Sequence, residues 1–63
     1  MDARLETLYR MQPLSAAETD ALFTEAFAGS MSEPELASLL TALKMKGETP
    51  DEIRGAAAAM LRA

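Results

Sequence analysis

Two pairs of near-neighbour carboxylates, Glu33 with Glu35 and Asp51 with Glu52, are the first places in this chain to look for catalysis or metal binding. Paired acids can share acid–base work or hold a divalent cation. Each pair, however, follows a hydroxyl residue, Ser32 or Thr49, at the spacing of a helix first turn, where acids complement the helix dipole. No calcium-loop pattern of alternating acids around a glycine occurs. Lys44, Lys46 and Gly47 suggest a phosphate grip, but a phosphate loop needs a glycine-rich turn leading into a helix. These lysines precede a helix stop, where they complement the C-terminal dipole, and they read as exposed. Ser15, Ser32 and Thr49 read as caps rather than nucleophiles, because the chain has no histidine to activate them. No residue is assigned a catalytic, cofactor-binding or metal-ligating role.

The elements that carry these residues are strongly punctuated. Asp2 can cap a first helix whose apolar face is Leu5, Leu8 and Tyr9, with Glu6 and Arg10 placed for an i, i+4 ion pair. Gln12-Pro13 stops it. Ser15-Ala16-Ala17-Glu18 is a capping box with Leu14 as the preceding half of a hydrophobic staple, and Gly29 closes that helix in left-handed geometry. Ser32-Glu33-Pro34-Glu35 opens a third helix bearing the cleanest stripe in the chain, Leu36, Leu39, Leu40 and Leu43, and Gly47 ends it. Thr49-Pro50-Asp51-Glu52 opens a fourth, with Ile53, Ala57, Met60 and Leu61 on one face and small residues over most of the rest. Gly55 inside that helix costs about 1 kcal/mol relative to alanine, which points to another backbone approaching closely. The pattern predicts helices over about 3–11, 16–28, 33–46 and 50–62. The short links predict an all-α unit, a compact four-helix orthogonal bundle forming a single helical domain over 1–63.

Composition narrows the function further. Ten acids against six bases give a formal net charge of −4, which argues against a nucleic-acid partner. No stretch approaches a membrane span or a secretory leader, so no membrane partner is expected and the expected location is cytoplasmic. With neither cysteine nor histidine, disulfides and the usual zinc sites are excluded. A chain of this size buries only about 60% of its unfolded surface. Tyr9, Phe23 and Phe27 are its only aromatics, so stability must come from close helix packing, self-association or a larger parent chain. Four short helices rarely enclose every leucine offered here. Leu5, Leu8 and Tyr9 with Leu36 and Leu40 are the candidate exposed patch and dimer interface.

From Leu39 through Lys46-Gly47-Glu48-Thr49-Pro50 to Ile53, and on through Gly55-Ala56 to Ala59-Met60, the sequence resembles the N-terminal helical domain of anthranilate phosphoribosyltransferase. Leu14-Ser15, Glu18 and the Gly29 turn extend the match over nearly the whole chain. Pro34 and Glu35 are small departures from the family pattern. The resemblance implies a two-domain enzyme of tryptophan biosynthesis that transfers a phosphoribosyl group from phosphoribosyl pyrophosphate to anthranilate with magnesium. It places the metal residues and diphosphate loop in a large α/β domain absent from these residues. No cofactor is therefore expected in this segment, which is expected to be inactive alone. The expected partners are a second copy, met chiefly through the first and third helices, and the large domain. The uncapped Leu61-Arg62-Ala63 end is expected to be a cut rather than a natural terminus. Two alternatives remain: the helical domain of a pyrimidine nucleoside phosphorylase, and a free-standing helical interaction module.

Overall fold

The computed structural model describes residues 2–63, and it is all-α, with no strand among them. Four helices follow one another: α1 (Ala3–Tyr9), α2 (Ala16–Phe27), α3 (Glu33–Lys46) and α4 (Pro50–Arg62). Each N-terminus is satisfied locally. The Asp2 carboxylate accepts from the Arg4 amide at 2.9 Å. Ser15, Ser32 and Thr49 each form the reciprocal capping box with Glu18, Glu35 and Glu52, so two otherwise orphaned amides are paired at each start. The Glu35 carboxyl is accordingly held below its usual range by the Ser32 backbone and hydroxyl. Ser32→Ala should lower unfolding free energy by about 1 kcal/mol. Urea denaturation checks this, and an unchanged midpoint would count against the cap.

The helix ends are equally specific. Beyond α2, Gly29 N–H donates to Ala26 O and Ser30 N–H to Glu25 O, with Gly29 at φ 77, the Schellman arrangement. The same pair of bonds ends α1, where Met11 N–H donates to Leu8 O and Gln12 N–H to Thr7 O. Here the left-handed residue is Met11, at φ 62, a geometry that carries a steric cost for any residue with a Cβ. This early reversal makes α1 two residues shorter than the sequence suggests. Glu6 and Arg10 form none of the ion pairs found among the described residues. Arg4 instead bridges Asp2 at 2.7 Å and Glu25 of α2 at 2.9 Å.

The bundle consists of two packed pairs, α2 on α4 and α1 on α3, joined by one core. Leu5, Leu8, Leu14, Leu22, Leu39, Ala42 and Leu43 form that core, with Phe23, Met31 and Leu36 packed against it. One sequence expectation changes here. Leu5 and Leu8 are core residues rather than exposed ones, because α1 is too short to bury one apolar stripe and display another. In α4 the large side chains turn away from the core. Ile53, Ala57, Met60 and Leu61 face outward, and the buried residues are Glu52, Gly55 and Ala59. Close approach to α2 selects that small face: a Cβ built on Gly55 would lie 2.3 Å from Ala16 O and 2.8 Å from Thr19 Cβ.

Candidate functional site

The inward turn of α4 places Glu52 at the meeting point of three chain segments. Its Oε2 accepts from the Leu14 amide at 2.8 Å, from the link between α1 and α2. Its Oε1 accepts from the Thr49 amide at 2.9 Å and from Lys46 Nζ, at the end of α3, at 2.5 Å. The Lys46 ammonium also donates to Gly47 O at 2.9 Å. The two side chains are 7% and 1% exposed, which corrects the expectation that Lys46 is solvated. Burial pushes the Glu52 carboxyl up, but the Lys46 ammonium and the Leu14 and Thr49 amides outweigh it and hold it below the usual range. With every strong donor directed inward, this carboxylate is a structural pin and offers no open face for acid–base work. Among the described residues no buried side-chain polar atom lacks a hydrogen-bond partner.

The other acids give no catalytic site. Glu33, Glu35 and Asp51 lie exposed in first helical turns. No group of three or more His, Cys, Asp or Glu among the described residues could hold a metal ion. No described helix is long and apolar enough to cross a membrane.

What the bundle does offer is two apolar grooves on opposite flanks of α3. The first, of about 380 Å³, runs between α1 and α3. Buried Leu8 and Ala42 lie at its base beside the small residues Ala37, Ser38 and Thr41, and Tyr9, Met11 and Met45 are the large exposed side chains that line it. The second, of about 360 Å³, lies between α3 and α4, where Leu40, Ile53 and Met60 surround the half-buried Phe23. Of the five residues expected at an interface, Tyr9 rims the first groove and Leu40 lines the second. Leu36 is half-buried against the core, and Leu5 and Leu8 are inside it. Met11, Met45 and Ile53 are groove residues outside the expected set. Met11 and Met45 fall outside any helical stripe, and the sequence places Ile53 on a face of α4 without saying which way that face turns.

The class of this capped four-helix bundle with its pinned α3–α4 turn follows from comparison. Residues 4–63 match the family model of the glycosyl transferase family, helical bundle domain, and the chain belongs to that family. It is 49% identical over its whole length to anthranilate phosphoribosyltransferase of Tolumonas auensis, of which it covers 19%. Identity is 52% to the enzyme of that name from Aeromonas salmonicida, over 97% of this chain and 18% of the relative. With the Sorangium cellulosum enzyme of that name it is 50%, over 95% of this chain and 17% of the relative. The chain thus spans less than a fifth of the length of these relatives. No solved structure matches it.

Proposed function

We propose that this chain is the helical assembly module of an anthranilate phosphoribosyltransferase, inactive alone and acting through its two apolar grooves. The parent reaction is phosphoribosyl transfer from phosphoribosyl pyrophosphate to anthranilate in tryptophan biosynthesis. The magnesium of that reaction belongs to residues outside this chain. The observation that carries the reading is the match of the glycosyl transferase helical-bundle model to residues 4–63, with about half the residues identical to enzymes of that name. In this reading the α1–α3 groove takes a second copy of the chain. Its floor of small residues lets another helix approach, and its flexible methionine rims fill irregular gaps. The α3–α4 groove takes the large domain, since more than four-fifths of the length of the relatives lies beyond what this chain covers.

Sedimentation velocity over a concentration series tests the first contact. The chain is expected to self-associate, and Thr41→Glu should weaken association about tenfold or more by placing an unpaired carboxylate in the buried contact. Thr41 is exposed, so thermal stability should change by less than about 0.5 kcal/mol. Leu40→Asp, on the opposite groove, should leave the association constant close to its starting value. A strictly monomeric chain at millimolar concentration, or equal loss in both variants, would overturn this assignment.

A further inference from the structure

Among the described residues three methionines are strongly exposed, and they divide between the two grooves. Met11 is 52% exposed and Met45 72%, both on the α1–α3 groove. Met60 is 64% exposed and lies on the α3–α4 groove. Met31 packs against the core instead. The two on the first groove come from different elements, Met11 from the left-handed residue after α1 and Met45 from the last turn of α3. Their placement brings two thioethers to the rims of one small-residue floor. No cysteine exists to intercept an oxidant first, so thioethers are the only side-chain sulfur in the chain.

We propose that Met11 and Met45 form an oxidation switch on the α1–α3 groove, dissolving the contact between two copies when hydrogen peroxide converts them to sulfoxides. This inference rests on the self-association reading above. In the step, the thioether sulfur attacks one peroxide oxygen, an S–O bond forms and the O–O bond breaks. The departing hydroxide takes up the proton of the transferred oxygen and leaves as water. Sulfur is oxidised by two electrons and peroxide is reduced by two. The product replaces a flexible apolar rim with a polar, chiral sulfoxide whose oxygen requires hydrogen bonds. The groove offers only the Tyr9, Ser38 and Thr41 hydroxyls among its side chains, fewer partners than bulk water gives, so a sulfoxide buried there by a second copy loses more hydration than it regains. Oxidation proceeds on the dissociated chain, where both sulfurs are open, and then removes that chain from the association equilibrium. Methionine sulfoxide reductase, drawing two electrons from thiols, resets it.

The test is peroxide titration of the 63-residue chain, followed by mass spectrometry for site occupancy, circular dichroism for helix content and sedimentation for association. Sulfoxide at positions 11 and 45 should raise the dissociation constant about tenfold or more with helix content unchanged. Treatment with the reductase should restore it. Raising protein concentration should slow oxidation of Met11 and Met45 relative to Met60, whose comparable exposure makes it the internal reference. Met11→Leu with Met45→Leu should keep association and make it indifferent to peroxide, whereas Met60→Leu should leave the response intact. A chain that associates normally with verified sulfoxides at both positions overturns the switch alone. So does loss of helix content in step with dissociation. Absence of association before any peroxide overturns the self-association reading and the switch with it.

Discussion

Gly55→Ala is expected to lower the melting temperature by about 8–16 °C, although alanine in a helix interior is normally favoured over glycine by about 1 kcal/mol. The reason is the α2–α4 contact. A Cβ at position 55 would meet Ala16 O at 2.3 Å, Thr19 Cβ at 2.8 Å and Asp20 N at 2.9 Å. Two of these are backbone atoms inside α2, so no side chain can swing aside and the helices must separate. Overpacking of this kind costs about 1–3 kcal/mol, and more where the backbone must shift. Subtracting the propensity gain from the upper end of that cost leaves about 2 kcal/mol net. At about 4–8 °C per kcal/mol for a small domain, the temperature shift follows. A chain of this length has only about 3–9 kcal/mol of stability in total, so Gly55→Val, larger and β-branched, should abolish the cooperative transition. Ala57→Gly supplies the contrast: at that exposed position the change should cost only about 1 kcal/mol. Differential scanning calorimetry decides the matter, and a rise in melting temperature for Gly55→Ala would sink the account of α4 packing.

That same contact explains what was and was not legible in the sequence. The capping boxes at Ser15, Ser32 and Thr49 and the left-handed Gly29 and Gly47 are local chemistry, complete within about five residues, and they mark three helices almost to the residue. The early end of α1 was hidden because Met11, rather than a glycine, takes the left-handed position. Orientation is a different kind of information. Ile53 and Met60 look like an inward face by hydropathy, yet the glycine at 55 and the alanine at 59 let α4 lie closer to α2 than those large side chains permit. Gly55 itself is the available signal: a glycine inside a helix marks the side that a neighbouring backbone approaches, and that side is the inward one. Two of the five interface candidates, Leu5 and Leu8, are buried for a related reason. Leu5 and Leu8 are drawn inward because seven residues of α1 supply two full anchors to the core and little else. On the first groove, Met11 and Met45 are residues no periodicity selects. Glu52 was misleading in another way, since its role in the capping box explained its presence without reference to Leu14, 38 residues earlier.

Glu52→Ala is accordingly expected to be the most damaging single truncation of a charged side chain in the molecule, costing about 3–5 kcal/mol, enough to leave much of the population unfolded. It strands the buried Lys46 ammonium and the Leu14 amide at once, and it removes one arm of the third capping box. Lys46→Met should cost less, because the carboxylate keeps the two amides while its partner becomes an apolar chain of similar length. The order of the two variants separates a pin that ties three segments from an ordinary ion pair, which would lose equally from either side. The pH dependence follows from the direction of the shift. The carboxyl of Glu52 titrates lower in the folded chain than its ordinary 4.5, so the unfolded state binds protons first as pH falls. Its contribution is fully present above that ordinary value and is lost as pH drops through the folded one. Asp2 acts in the same sense: hydrogen bonding from the Arg4 side chain, against a smaller push from burial, holds it at about 2 instead of 3.8. Stability measured by urea denaturation should therefore be flat near neutrality and fall below about pH 4.5. Glu52→Gln should be less stable at pH 7 and lose less on acidification, because the amide cannot take up the proton. Acid curves of equal slope for the two proteins would show that Glu52 does not carry the effect, leaving Asp2 and its Arg4 bridge as the source.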